Sequence, residues 1–96
     1  MGYNKGMKTI HYRVRGLVQG VFFRHHTKET ADRLSIQGTV KNLPGGEVEV
    51  YAQGEPDNLQ EFEKFLQRGP ATARVTEVIK AETDSDQKFE NFDVIF

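Results

Sequence analysis

The stretch Gly16-Leu17-Val18-Gln19-Gly20-Val21-Phe22-Phe23-Arg24 holds the residues best suited to chemistry. It leaves a segment with strand periodicity and enters one with helix periodicity. The first turn of a helix presents N–H groups with no intrahelical acceptor, and the aligned peptide dipoles place partial positive charge there. A strand-to-helix turn can therefore bind an anion through backbone alone. Gly16 and Gly20 would let successive N–H groups, from Gln19 through Gly20, Val21, Phe22 and Phe23, converge on one point as a nest. Arg24 would stand in the opening turn, free to fold over the same anion in a charge-assisted contact. No G-x-x-x-x-G-K-[ST] or G-x-G-x-x-G pattern is present, and a plain connecting turn is the commoner use of two glycines four apart. On local physics both readings stand.

The elements that must position this loop follow from periodicity. Ile10, Tyr12 and Val14 alternate with Thr9, His11 and Arg13, a half-buried strand that Gly16 to Gly20 interrupts. Phe23, Thr27, Ala31 and Leu34 then share one face of a helix. Gln37–Leu43 reads as a second strand and Pro44-Gly45-Gly46 as a turn, with Val48, Val50 and Ala52 completing a hairpin. Leu59, Phe62, Phe65 and Leu66 form a second helical stripe, opened near Pro56 or Asp57 and stopped by Gly69-Pro70. Val75–Ala81 is a fourth strand, Thr83–Lys88 a polar loop, and Phe92, Val94 and Phe96 alternate in a last short strand. The order βαββαβ predicts an α+β, ferredoxin-like sandwich. Its two helices pack on one face of a mostly antiparallel sheet, with a short extra C-terminal strand.

The 96 residues form one domain over 8–96, preceded by a tail, 1–7, expected to be loosely ordered. A net charge of −1 gives no general attraction to nucleic acid or to an anionic membrane. Without cysteine there is no disulfide framework, thiolate metal site or cysteine nucleophile. No apolar run approaches the roughly 20 residues of a membrane span. The polar N-terminus lacks a signal-peptide core, so the cytoplasm is the expected location.

His25 and His26 point about 100° apart on a helix and lack an i,i+4 histidine partner, which favours solvated or packing roles over a metal or base pair. Glu47, Glu49, Glu55 and Asp57 read as a wet strand face and a helix start, and no metal site is expected. Tyr12, Tyr51 and Phe92, near Arg13, Arg15 and Lys41, could stack bases if exposed, but the RNP1 pattern is absent and strand aromatics are usually core.

Gly16-x-Val18-Gln19-Gly20-Val21-x-Phe23-Arg24 resembles the signature loop of the acylphosphatase family, and Gly38-Thr39-Val40-Lys41-Asn42 resembles its second signature. The similarity runs from residue 8 to 96. The chain departs from the family pattern at Ser35, often Gly, at Thr39, often aromatic, and at the Pro44-Gly45-Gly46 turn, often Asp-Gly. The resemblance implies hydrolysis of a carboxyl-phosphate anhydride to carboxylate and inorganic phosphate, without metal or other cofactor. It assigns the loop N–H groups of Gln19, Gly20, Val21, Phe22 and Phe23 and the Arg24 guanidinium to the phosphate, and Asn42, on the adjacent strand, to the attacking water. The expected partner is a small acyl phosphate, with phosphate as product and inhibitor, acting on a monomer with no nucleic-acid or membrane partner. Two rival readings are a phosphate-binding regulatory module that has lost turnover and a binder of single-stranded nucleic acid.

Overall fold

In the computed structural model, which describes residues 8–83 and 87–96, the chain runs β1 (Lys8–Leu17), α1 (Phe23–Arg33), β2 (Gln37–Asn42), β3 (Val48–Gly54), α2 (Pro56–Arg68), β4 (Arg74–Thr83) and β5 (Phe92–Ile95). The tail and the middle of the Thr83–Lys88 loop lie outside the described residues. The sheet order is β4-β1-β3-β2-β5. Every pair is antiparallel except β2 with β5, which is parallel. This is the ferredoxin-like arrangement with β5 added beyond β2, at the edge opposite β4.

The period-two pattern sorts the sheet into two faces. Ile10, Tyr12 and Val14 of β1, Val40 of β2 and Val48, Val50 and Ala52 of β3 are buried beneath the helices. From α1, Phe23, Thr27, Thr30 and Ala31 face them, and from α2, Leu59, Phe62, Phe65 and Leu66. Aromatic contacts tie α1 to α2, with the ring centroids of Phe23 and Phe65 6.1 Å apart, and α2 to the sheet, with those of Phe62 and Phe92 6.0 Å apart. The other face is polar and laced with ion pairs: His11 with Glu49, Arg13 and Arg15 with Glu47, and Arg15 with Glu77. Of the aromatics weighed for base stacking, Tyr12 and Phe92 are therefore core. Tyr51 lies on the polar face, its ring 4.7 Å from that of His11 and 6.5 Å from that of Phe89. Tyr12 hides even its hydroxyl, which donates to Glu63 at 3.3 Å. Burial and the adjacent carboxylate push that phenol well above its usual range.

Two local features differ from the sequence expectation. Gly16 belongs to the strand rather than to the loop: β1 continues to Leu17 across a register shift between Arg15 and Gly16. At φ 128° a Cβ on Gly16 would stand 2.1 Å from the carbonyl oxygen of Arg74, so only glycine lets β4 close on the bulge. Second, β3 lies between β1 and β2, so the strand carrying Asn42 is next in sequence but not next in the sheet. Asn42 nevertheless aligns with the C-terminal part of β1, at Val14, because Asn42 pairs with Val48 and Val48 pairs with Val14. With strands about 4.8 Å apart, one transverse row carries the site across the sheet.

Candidate active site

The C-terminal ends of β1, β2 and β5 and the N-terminus of α1 meet at one end of the sheet. Residues 18–22 bridge β1 and α1 there. Buried Val18 anchors this loop in the core. Gln19 Nε2 donates to the carbonyl oxygens of Leu43 and Glu47, each at 2.8 Å. Thr72 Oγ1 donates to the carbonyl of Val21 at 2.9 Å. Each anchor holds the loop by its side chains or its carbonyls and not by its N–H groups.

The loop curls because Gly20 at φ 76° and Phe22 at φ 61° both adopt left-handed backbone. Phe22 is the N-cap of α1 and provides no side-chain cap. The helix's first backbone bond runs from His26 N–H to Phe22 O at 3.1 Å. Among the described residues, the N–H groups from Gly20 to Arg24 have no backbone acceptor. Alternating handedness followed by a helix start gathers such groups into an anion-binding concavity. The left-handed positions of this loop are thus Gly20 and Phe22, while Gly16 lies in β1.

Arg24 is half-buried in the opening turn. Its Nη1 donates to the carbonyl of Ile95 at 3.2 Å, and its Cζ lies 4.7 Å from the ring centroid of Phe96. One turn on, Lys28 Nζ donates to the carbonyl of Phe92 at 2.8 Å, so one side of α1 is stitched to β5 at two points. Ile95 is an uncharged partner, and among the described residues no carboxylate pairs with Arg24. Several guanidinium N–H donors are therefore left for a ligand. Sequence reading did not identify β5 as its support, because nothing in the pattern of Phe92, Val94 and Phe96 says which strand they pair with.

Asn42 shares the helix-bearing face of β2 with Gly38 and Val40, by the two-residue repeat. Among the described residues its Oδ1 is the buried side-chain oxygen or nitrogen without a hydrogen-bond partner. Such an atom costs about 1–3 kcal/mol if nothing satisfies it. A cleft of about 440 Å³, in the usual range for small-molecule sites, joins these groups. Val18, Gly20, Phe22, Phe23, Arg24, His25, Asn42, Val94 and Phe96 line it. The structure therefore brings Gly20, Phe22, Phe23, Arg24 and Asn42 together. Gln19 and Val21 are in the same loop but outside the lining, held by the bonds just described.

His25 reaches the rim of the cleft, and although it and His26 diverge at the backbone, their rings meet with centroids 5.5 Å apart. Both point a nitrogen at exposed Glu29, at 3.5 Å. Among the described residues no group of three or more His, Cys, Asp and Glu side chains is gathered as a metal site would require. No helix among them is long and apolar enough to cross a membrane.

Comparison with known proteins identifies the family of the whole chain. The acylphosphatase family model matches residues 10–94. An acylphosphatase of Vibrio vulnificus is 45% identical over 82 residues, covering 85% of this chain and 90% of the relative. One of Burkholderia thailandensis is 44% identical over 86 residues, covering 90% and 88%. The solved structure of an acylphosphatase from Coxiella burnetii matches with a TM-score of 0.90 at 38% identity, over 96% of both chains. That of the Bacillus subtilis acylphosphatase matches at 0.88 and 31%, over 94% of this chain and 99% of the other. Matched along almost its whole length in both sequence and fold, the chain belongs to the acylphosphatase family of hydrolases.

Proposed function

We propose that this cleft hydrolyses acyl phosphates without a metal, with the loop N–H groups from Gln19 to Phe23 and the Arg24 guanidinium holding the phosphoryl group and Asn42 orienting the attacking water. The carrying observation is the buried, unpartnered Oδ1 of Asn42 in the same cleft as an arginine with no carboxylate partner. One group is suited to accept from water, the other to bind an anion, and few further groups are needed.

The reaction forms a bond from the water oxygen to phosphorus and breaks the bond from phosphorus to the acyl oxygen. The leaving group is a carboxylate, whose conjugate acid has a pKa near 4, so it departs at neutral pH without a general acid. A nonbridging phosphoryl oxygen takes the water's proton. The protein is left with positioning and charge stabilisation, the main burden of phosphoryl transfer. Arg24, braced by Ile95 and Phe96, is pre-aimed, and the loop is fixed by Gln19 and Thr72. Fixed donors stabilise developing charge without reorganising during the reaction. We also assign the protein to the cytoplasm, supported by the absence of cysteine, and to a monomeric state.

The test is hydrolysis of benzoyl phosphate by wild type and Arg24→Ala, with and without a chelator, with inorganic phosphate as inhibitor. Wild type should turn over equally in chelator, and Arg24→Ala should lose both turnover and phosphate inhibition. Chelator-sensitive turnover would refute the metal-free mechanism, and phosphate inhibition surviving in Arg24→Ala would place the anion elsewhere.

A further inference from the structure

Val21 sits in the middle of the β1–α1 loop, outside the lining of the cleft, and is held from two sides. Its side chain packs against the core. Its carbonyl oxygen accepts from Thr72 Oγ1 at 2.9 Å. Thr72 belongs to the α2–β4 connection, 51 residues further along the chain. The shape of that connection brings it to the loop. Gly69 leaves α2 at φ 71°, and the N–H of Ala73 bonds to Pro70 O at 2.9 Å, closing a turn that contains Thr72. A Cβ on Gly69 would lie 3.5 Å from Cε2 of Phe23, so the connection also rests on the first residue of α1. Thr72 itself is exposed, where a single hydroxyl bond contributes little to folding.

The carbonyl of Val21 and the N–H of Phe22 belong to one planar trans peptide and point in opposite directions. The sheet order puts β4, and the turn that leads into it, on one side of the loop. On the other side lie β2 and β5, which carry Asn42 and Val94 of the cleft. A carbonyl held toward Thr72 therefore turns the Phe22 N–H toward the cleft that Phe22 lines. Among the described residues that N–H has no backbone acceptor. Phe22 holds left-handed backbone at φ 61°, which a side chain disfavours. A flip of the Val21–Phe22 peptide would change φ at Phe22, relieve that strain and withdraw the N–H from the cleft. The Thr72 hydroxyl opposes this flip, because its bond to the carbonyl would be lost. Strain held in place by its surroundings is a mark of ligand sites. We propose that Thr72 is a positioning residue, whose hydroxyl holds the Val21–Phe22 peptide so that the Phe22 N–H aims at the phosphoryl group. The proposal rests on the catalytic reading of the cleft and names the group that sets one of its donors.

The experiment compares wild type with Thr72→Val, which keeps the branched shape without the hydroxyl, with Thr72→Ala, and with Thr72→Ser, which keeps the hydroxyl. It measures benzoyl phosphate kinetics, the inhibition constant of inorganic phosphate, Tm, and the Phe22 amide proton by NMR with and without phosphate. In wild type, phosphate should move that proton downfield through a charge-assisted hydrogen bond. Thr72→Val and Thr72→Ala should lose most of that shift. Their phosphate inhibition constant and kcat/KM should each worsen about tenfold, less than the roughly 10²-fold cost of deleting a preorganised donor, because the donor is misdirected and not removed. Thr72→Ser should restore the shift and both constants. Wild-type turnover with a phosphate-induced shift that survives in Thr72→Val and Thr72→Ala overturns the role of Thr72 and leaves the catalytic reading intact. A Tm lowered in both variants with unchanged constants does the same. Wild type that neither turns over benzoyl phosphate nor binds phosphate overturns the catalytic reading and the role of Thr72 with it.

Discussion

Gln19 Nε2 donates to the carbonyl oxygen of Leu43 at 2.8 Å, joining the loop that precedes α1 to the residue directly after Asn42. With the second bond, to Glu47 O at 2.8 Å, the amide spans the neck of the β2–β3 hairpin. The two halves of the proposed catalytic machinery thus have a common brace in one side chain.

Gln19→Ala should therefore loosen the loop relative to Asn42. We expect about 1–3 kcal/mol lower stability, from two bonds worth about 0.5–1.5 kcal/mol each. We also expect kcat/KM to fall roughly tenfold, as small misplacement of a reacting group does. Gln19→Glu, which sets a carboxylate against two carbonyls, should be worse on both counts. Denaturant melts with benzoyl phosphate kinetics check this; full activity in Gln19→Glu would show that the brace is dispensable.

Asn42→Ala should separate function from stability. Its Oδ1 is buried without a partner in the protein, so removing it relieves a desolvation cost. The variant should be as stable as wild type or more so, while kcat drops roughly 10²-fold, by analogy with losing one preorganised group, with little change in phosphate inhibition. Asn42→Asp keeps the shape but adds a negative charge, and should weaken phosphate inhibition as well. A destabilised Asn42→Ala with normal turnover would mark Asn42 as a packing residue.

Ser35→Gly should stabilise the protein. Ser35 follows α1 at φ 58°. Its N–H bonds to Asp32 O at 3.3 Å and that of Ile36 to Ala31 O at 2.9 Å, the paired bonds of a Schellman cap. Relieving about 1–2 kcal/mol of left-handed strain, less the roughly 0.5–1 kcal/mol entropic cost of glycine, leaves a gain of up to about 1.5 kcal/mol. Thermal unfolding should shift up by a few degrees with kinetics unchanged. A lower Tm would mean that the serine side chain contributes more than its backbone costs.

Acid sensitivity should trace in part to Glu47. The hydrogen bond from Arg15, then the charges of Arg13 and Arg15, hold its carboxyl below the usual carboxylate range. A depressed folded pKa contributes stability above the unfolded value, about 4.3, and that contribution is lost as pH falls through the lower folded value. Wild type should thus exceed Glu47→Gln in denaturant midpoint at neutral pH, and the difference should shrink as pH falls below about 4 and as salt is raised. A difference constant with pH would assign the effect to packing.

The strand and helix sequence, the two packed faces and the residues of the loop follow from the sequence, because period-two and helical spacings are local properties of the chain. Arg24 and Asn42 stand out in the sequence as site candidates by residue type and motif, and Ser35 by its departure at a helix end. Tertiary structure alone decided the rest. Gly16 reads as a loop glycine, but its φ and its contact with Arg74 arise only once β4 pairs with β1. The short run from Phe92 carries no signal that it pairs in parallel with β2, so the bracing of Arg24 by Ile95 and Phe96 could not be read. Nor could the path of the Gln19 side chain to Leu43 and Glu47, since these partners lie 24 and 28 residues away. These are contacts between segments distant in sequence, whose partners are chosen by the closing of the sheet and not by any spacing along the chain.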